Sequence, residues 1–189
     1  MIDHLTRLFD GKVLFSPILF LTALLFLAFA IFLFRVDSGN VERMEKISRW
    51  KIPGWILGVF VLAWCVPHTA PILPESLHKY LIPAMAAAAV AAWFVLDHLF
   101  ARALGGFMIL SAHLFLRETF GVEGFSGPVS ALLFLLYGTC GIVLCGLPYR
   151  LRDLVRLELD PRYRWSLPAV CLLFFLGFLI LGIRSLRYF

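Results

Sequence analysis

The amino-acid sequence predicts an all-α integral membrane protein with about six transmembrane helices and two short interfacial amphipathic helices on the cytoplasmic side. The first observation is composition. Of the 189 residues, 61% are hydrophobic and 15% are charged, whereas soluble domains are about 45–50% apolar and about 25% charged. The second observation is that the apolar residues form six runs, each close to the roughly 20 residues that a helix needs to cross a bilayer. Residues 1–189 are therefore expected to form a single membrane domain.

The predicted spans are 13–34, 53–73, 77–98, 99–116, 128–147 and 166–183. The first contains no formal charge and runs into Arg35 and Asp37 without a small-residue cleavage pattern. It is therefore expected to remain as a span, because signal peptides have a shorter apolar core and such a pattern. The second ends with Pro67 and Pro71. Since proline removes a backbone donor, this span is expected to kink or unwind near its end.

The third and fourth segments meet at residues 97–102, which leaves room only for a tight helical hairpin. Asp97 and Arg102 flank this turn, and we expect them to form an ion pair that clamps it. The third segment also carries small residues at Ala84, Ala88 and Ala92, a spacing that lets helix backbones approach closely. Internal packing of this face is the favoured interpretation, and docking of another subunit is the alternative. The expected internal partners are glycines of the fourth and fifth segments, Gly105, Gly106, Gly138 and Gly141.

The distribution of basic residues favours six spans. With six, the connections after the first, third and fifth spans hold five, one and five of the 17 Lys and Arg residues, and the opposite side holds six. Because basic residues collect in cytoplasmic loops, we expect these three connections in the cytoplasm and both termini outside, in a bacterial inner membrane. If the third and fourth segments were one span, the two richest connections would fall on opposite faces.

These two richest connections end in the same pattern, R-W-x-[I/L]-P. The first reads Arg49-Trp50-Lys51-Ile52-Pro53 and the second Arg164-Trp165-Ser166-Leu167-Pro168. Tryptophan is typical of the membrane interface, and proline is accepted in the first turn of a helix, where its missing N–H costs little. The arginine, tryptophan and proline of each copy are therefore predicted to be interfacial anchors or partner contacts. These residues are Arg49, Trp50, Pro53, Arg164, Trp165 and Pro168. Duplication of an ancestral hairpin and chance recurrence of a common ending both explain the repeat.

Each connection is also expected to contain a short amphipathic helix whose apolar side faces the lipid headgroups and whose basic side lies near anionic lipid. In the first, Asn40 is a candidate N-cap, and acid-first i, i+4 ion pairs are expected between Glu42 and Lys46 and between Glu45 and Arg49. The apolar stripes consist of Val41, Met44 and Ile47 in the first connection and of Leu151, Leu154 and Val155 in the second.

Candidate functional residues are the polar groups nearest the middle of the membrane, because an ionisable group in lipid needs a partner or a watery cavity. They are Asp97, His98, Arg102, His113 and His68. A proton relay at His113 would require a second titratable group at the same depth, which His68 or His78 supplies. A metal site formed by these three histidines and a haem site between His98 and His113 are disfavoured, because the ligand spacing is poor and the last two residues are predicted near opposite faces.

No catalytic or cofactor motif is present. The four cysteines form no C-x-x-C pair, the single G-G pair lacks a phosphate-loop context, and no ordered Ser, His and Asp set occurs. We therefore expect no cofactor and no bound metal. The excess of five positive charges is explained by topology, so nucleic acid is not an expected partner.

The sequence is most consistent with a non-catalytic integral subunit or accessory protein of a larger inner-membrane complex, with membrane lipid and other membrane subunits as partners. The alternative is a small transporter or the membrane substrate-binding component of one, which predicts a polar cavity reached by His68, His113 or Asp97. An integral-membrane lipid enzyme is the third possibility. It would require an acid–base or metal constellation that the sequence does not contain.

Overall fold

The computed structural model describes residues 10–36, 39–40, 42, 45–120, 127–160 and 162–187. Within these residues the chain is all-helical. The α-helices are α1 (Gly11–Phe34), α2 (Lys51–Thr69), α3 (His78–Val95), α4 (Leu99–Thr119), α5 (Pro128–Gly146), α6 (Arg150–Leu157) and α7 (Ser166–Ser185). Short 3₁₀ helices cover Lys46–Arg49, Ala70–Ile72 and Glu75–Leu77.

The part of the chain that is described contains six helices long and apolar enough to cross a membrane, which confirms that feature of the predicted fold class. Their bounds, which include the adjoining 3₁₀ turns, lie within three residues of the predicted spans. The largest differences are at the end of α3, which stops at Val95, and at the end of α4, which continues to Thr119.

Local sequence explains where several helices begin. The Asp10 carboxylate accepts a hydrogen bond from the Lys12 backbone N–H and caps α1. Pro128 opens α5 at a position where the missing N–H is not needed. Trp50 and Trp165 occupy the same position, immediately before α2 and α7. The register of the R-W-x-[I/L]-P pattern relative to its helix is therefore the same in both copies.

Helix α4 is the centre of the fold, and 56% of its most apolar window is buried. It packs closely against α2 and α5 because glycines stand at both crossings. A Cβ added to Gly105 would lie 2.7 Å from the carbonyl oxygen of Gly141, and a Cβ added to Gly54 of α2 would lie 2.5 Å from the backbone nitrogen of Phe100. The helix backbones are therefore in direct contact at these points.

Helices α1 and α7 pack along one another. Their contact includes stacked rings of Phe26 and Phe174, with centroids 4.9 Å apart, and a hydrogen bond of 2.8 Å between the hydroxyls of Ser16 and Ser185. By contrast, α5 and α7 meet over only a few residues. The fold thus consists of an α1–α7 pair and an α2–α4–α5 layer, with a seam between α5 and α7.

Aromatic side chains fill the interior between these two parts. Phe115, Phe134, Tyr137 and Phe178 are almost completely buried, and their ring centroids lie 5.0–6.3 Å from one another in the contacting pairs. Rings at such separations gain more than the burial of their area alone. The middle of the protein is therefore a packed aromatic core.

Helix α3 is peripheral and packs mainly on α2. Its buried position is Ala89, whose carbonyl accepts a hydrogen bond of 2.9 Å from the Trp55 indole. Ala84 and Ala88 are exposed and Ala92 is half-buried. The prediction that this alanine face packs internally on glycines is therefore wrong, because the glycines of α4 and α5 face one another or α2 instead.

The turn between α3 and α4 is short, as predicted, but it holds no ion pair between Asp97 and Arg102. Within the described residues no such pair occurs, and Arg102 Nη1 instead donates to the Cys145 carbonyl oxygen at 3.2 Å. The turn is made by His98, whose left-handed backbone (φ 55°, ψ 41°) breaks the helix. The two helices are thus joined directly while α3 packs chiefly on α2.

The prolines of the second span act at its end. Helix α2 continues through Pro67 to Thr69 and then narrows into the 3₁₀ helix Ala70–Ile72, which contains Pro71. The Thr69 hydroxyl donates to the Cys65 carbonyl at 2.8 Å. The predicted unwinding therefore occurs at Pro71.

Candidate functional site

Three segments meet at one end of the helix bundle and form what we call the charged junction. It comprises residues of the 3₁₀ helix Lys46–Arg49, the turn before α4, and α6. Its side chains are Glu45, Ser48, Arg49, His98, Arg102, Arg152 and Arg156.

A hydrogen bond between Ser48 and His98 ties the first charged connection to the turn before α4. The Ser48 hydroxyl lies 3.0 Å from His98 Nδ1 and donates to the Glu45 carbonyl at 3.1 Å. The Glu45 carbonyl oxygen accepts from the Ser48 hydroxyl, and whether His98 Nδ1 donates to or accepts from the same hydroxyl is set by the imidazole tautomer. This bond holds His98 in its left-handed conformation, which is costly for a residue other than glycine.

Serine beside histidine also raises the question of nucleophilic catalysis, which requires the histidine to accept the hydroxyl proton. Here the Glu45 backbone carbonyl oxygen competes with His98 Nδ1 for the single hydroxyl hydrogen of Ser48. Ser48 is only 2% exposed, so a substrate carbonyl has little access to it. The geometry supports a structural link.

Basic side chains surround His98. Burial lowers the pKa of its imidazole, and the positive charges of Arg49, Arg152 and Arg102 lower it further, against the opposing effect of Asp97. His98 is therefore neutral at physiological pH, with a hydrogen on one of its two ring nitrogens. Arg102 also places its guanidinium at the C-terminal end of α5, where positive charge is favourable.

An ion pair joins the two charged connections. Arg156 of α6 binds the Glu45 carboxylate through two hydrogen bonds, of 2.5 Å from Nε and 2.9 Å from Nη2. The hydrogen bond from Arg156 lowers the pKa of Glu45. This contact replaces the predicted pair between Glu45 and Arg49. The other predicted pair, between Glu42 and Lys46, is likewise not formed in the described part of the chain.

Helix α6 is amphipathic, as predicted, but its apolar side faces the protein. Leu151 and Val155 are buried and Leu154 is half-buried. Leu151 belongs to the main hydrophobic core. The prediction that this side faces lipid headgroups is therefore wrong for α6, because the open end of the bundle offers a larger apolar contact. In the first connection, Val41 and Met44 lie outside the described residues.

The two R-W-x-[I/L]-P copies have the same register and different surroundings. Arg49, Trp50, Arg164 and Trp165 are all exposed, which suits an interfacial anchor. Trp165 contacts Phe34 at the end of α1, with ring centroids 5.8 Å apart. Pro53 is exposed and Pro168 is buried, so the proline packs into the bundle only in the second copy.

At the opposite end of the bundle, His68 and His113 come together. Their rings lie edge to face with centroids 5.6 Å apart. His78 is used elsewhere, because its Nε2 lies within hydrogen-bond distance of the carbonyl oxygens of Ala70 and Leu73. No group of three metal-ligating side chains occurs among the described residues. Of the two histidines that the sequence left open as partners of His113, His68 is the one in contact, and His78 stabilises the turn between α2 and α3.

A cavity of about 260 Å³ lies between α1, α4, α5, α6 and α7, along the seam of the fold. Its wall is almost entirely apolar and includes Phe26, Tyr137, Cys140, Leu151 and Cys171. The Tyr137 hydroxyl, one of its few polar atoms, already bonds to Ser111 at 3.0 Å. None of His68, Asp97 and His113 lines this cavity.

Sequence reasoning missed several residues of these sites. Ser48, Arg152 and Arg156 gain their importance from contacts across 50 to 111 positions of the chain, which no local pattern reveals. Glu158 is buried at the end of α6, although its position in a charged connection gave no reason to expect burial. Helical periodicity could have identified Arg156, because it lies on the face of α6 opposite to the apolar Leu151, Leu154 and Val155.

Comparison of this chain with protein-family models, with curated proteins and with solved structures found no match.

Proposed function

We propose that the protein is a non-catalytic integral subunit of a larger membrane complex, in the inner membrane of a bacterium, with both termini outside. The charged junction then faces the cytoplasm, where basic residues are retained. This proposal rests mainly on α3, the span with the least contact to the rest of the chain.

The middle of α3 has an outer face unlike those of α5 and α7. Five of the eleven exposed residues of α3 are alanines, Ala84, Ala86, Ala87, Ala88 and Ala91, whereas large exposed side chains such as Tyr80 and Phe94 lie toward its two ends. The exposed faces of α5 and α7 carry large side chains such as Leu132, Leu135, Leu173 and Ile180. Small residues gain little from contact with lipid, whereas they allow a second helix to approach closely and pack against the backbone. A transmembrane helix of another subunit is therefore the expected occupant of this face.

An exposed apolar groove adjoins the alanine face. It lies between α2 and α3 and is lined by Ile52, Trp55, Ile56, Val90, Trp93 and Phe94. Phe94 is 79% exposed and Ile52 is 66% exposed. Tryptophan and other aromatic residues are enriched where protein partners meet. The groove extends the proposed contact toward the end of the bundle that carries the charged junction.

The transporter alternative gains no support from the cavity at the seam. It depended on a polar cavity reached by His68, His113 or Asp97, and the large cavity at the seam is apolar and contains none of the three. The lipid-enzyme alternative gains little support from Ser48 and His98, because Ser48 is only 2% exposed and its hydroxyl also donates to the Glu45 carbonyl oxygen.

The proposal is tested by extracting the full-length protein from its native membrane in a mild detergent and measuring the mass of the particle. A mass larger than that of the single chain with its detergent, and a second protein in fixed stoichiometry, are expected. Ala88→Leu should release that partner, because the larger side chain prevents close helix approach.

Matched controls are Ala131→Leu on α5 and Ala169→Leu on α7, both at exposed alanines outside the proposed contact. They should leave the particle mass unchanged. A wild-type protein that is monomeric in every mild detergent would contradict the proposed function. Equal loss of the partner in all three variants would contradict the assignment of the α3 face.

A further inference from the structure

The structure assigns the apolar cavity at the seam as a binding site for one acyl chain of an anionic phospholipid, a role independent of the proposed subunit function. The cavity runs beside α1 from Thr22 to Leu33. That separation corresponds to about 16 Å of helix at the usual rise per residue. A fatty-acyl chain is an elongated apolar group that suits such a space.

The chemistry of the wall excludes ordered water as the natural occupant. A buried water needs two to four polar partners, and apart from the hydroxyls of Thr22 and Tyr137 the side chains of this wall are hydrocarbon, thioether and thiol. The Tyr137 hydroxyl is already hydrogen-bonded to Ser111. Hydrocarbon gives up no hydrogen bond on entering this cavity and gains contact with the aromatic and aliphatic side chains.

The cavity is open along the side where α5 and α7 diverge. Cys140 of α5 and Val170 of α7 both line the cavity and are exposed at the surface. This opening lies on the long side of helices that are apolar enough to cross a membrane. An acyl chain can therefore enter sideways from the surrounding lipid, without passing through the charged junction.

The charge at one end of the cavity selects the head group. The lining residues Leu33, Leu151 and Leu167 lie at the end of the bundle where basic residues are concentrated. Arg35, Arg150 and Arg164 are exposed and lie two, one and three positions from these residues in the sequence. Arginine binds phosphate through charge-assisted hydrogen bonds. An anionic phospholipid with its tail in the cavity and its phosphate near these arginines matches both the apolar wall and the positive charge at this end.

Native mass spectrometry of the full-length protein in detergent tests the assignment. Phosphatidylglycerol, phosphatidylcholine with the same acyl chains, and oleate are added separately. One retained phosphatidylglycerol is expected, with at least about tenfold weaker retention of the other two. Arg164→Gln should reduce the preference for phosphatidylglycerol over phosphatidylcholine.

Cys171→Phe fills the cavity from α7 and should weaken phosphatidylglycerol retention by about tenfold or more, because ring and acyl chain compete for one space. Leu173→Phe, two residues along the same helix at a 67% exposed position, is the matched control and should retain the lipid. Cys140→Phe fills the same space from α5 and serves if Cys171→Phe does not fold.

A third measurement, thiol alkylation, uses a protein in which no substituted side chain fills the cavity. In a chain with Cys65→Ala and Cys145→Ala, the remaining thiols, Cys140 and Cys171, both line the cavity. Phosphatidylglycerol should slow their alkylation by N-ethylmaleimide. Unchanged alkylation, or unchanged retention in a folded cavity-filled variant, would overturn the site. Equal retention of phosphatidylcholine or of oleate would overturn the choice of an anionic phospholipid.

Discussion

Glu158 is the residue whose environment departs furthest from what its position in the sequence indicates. It follows α6 in a charged connection, yet it is only 3% exposed. Its Oε2 atom has no hydrogen-bond partner within the described part of the chain. Burial raises the pKa of this carboxyl group, and the positive charge of Arg164 opposes the rise. The folded protein thus bears the cost of a buried acid that water would solvate in the unfolded chain.

The pH dependence of stability follows from this raised pKa. Well below the ordinary glutamate pKa of about 4.3, Glu158 is protonated in both states and costs little. As the pH rises through the interval between the unfolded and the raised folded value, the unfolded chain releases its proton first. The free energy of unfolding contributed by Glu158 therefore decreases with pH across that interval and stays lower above it.

Glu158→Gln should remove the decrease in the free energy of unfolding that the ionisation of Glu158 causes. At neutral pH the variant is expected to be more stable than the wild type by about 1 kcal/mol, because the amide needs less solvation than the carboxylate. The difference should disappear near pH 4. Thermal unfolding of both proteins in one detergent between pH 4 and pH 8 measures it. A constant difference across the whole range would show that the charge of Glu158 is not its source.

Residue-scale prediction from the sequence narrowed the choice where a polar side chain was rare in its surroundings. His68 and His78 were both candidates for the depth of His113, and the structure brings His68 into ring contact with it. Prediction failed for Asp97 and Arg102, which are five positions apart and yet have different environments. Arg102 bonds the end of α5, and Asp97 is exposed. Proximity in sequence did not determine the partner, because α5 brings a free carbonyl to Arg102.

At the scale of elements, helix bounds were predictable because an apolar run of about 20 residues has few alternatives in lipid. The face on which each helix packs was not. The apolar residues surround most of these helices almost evenly, so hydrophobic periodicity gives no direction. The alanines of α3 were therefore assigned to an internal contact, whereas Ala84 and Ala88 are exposed.

The crossing of α4 and α5 offers a sharp test of element packing. Gly141→Ala should destabilise the protein by about 1–3 kcal/mol, because the added Cβ would lie 2.8 Å from Met108 Cβ and 2.9 Å from the Gly105 carbonyl oxygen. The two helix backbones would have to separate. The measurement is the free energy of unfolding in detergent.

Gly146→Ala is the control for this substitution. Gly146 ends the same helix, and nothing lies within 4 Å of the Cβ that alanine would add. Its stability should be unchanged or slightly higher, because alanine is the better helix former. Similar destabilisation by both substitutions would mean that loss of glycine in α5, and not the close crossing, causes the effect.

At the scale of the whole molecule, the two charged connections lie at one end. The bidentate contact between Glu45 and Arg156 requires it, and the count of basic residues had favoured it. If the six helices cross a membrane, single cysteines at Glu42 and Arg162 should react alike with a membrane-impermeant thiol reagent in intact cells. A cysteine that replaces Glu75, between α2 and α3, should be labelled where the other two are not, or the reverse, because it lies on the other side.

These labelling variants are made in a chain whose four natural cysteines are replaced by alanine. Reaction of the Glu75→Cys thiol alone is the expected outcome for termini outside. Labelling at Glu42→Cys and Arg162→Cys but not at Glu75→Cys would reverse the orientation while keeping six spans. Different labelling of Glu42→Cys and Arg162→Cys would contradict the six-span arrangement itself.

The sequence by itself determined the composition of the fold: six long apolar helices, their ends, and the concentration of basic residues in two connections. These properties depend on local chain chemistry, since helix length and apolarity are set within one segment. Only the tertiary structure decided which faces meet. It placed glycines at the α4 crossings, turned the apolar side of α6 inward, paired Glu45 with Arg156 and left a cavity between α5 and α7. Each depends on shape and distance between segments far apart in the chain, and almost uniformly apolar helices carry little sequence information about either.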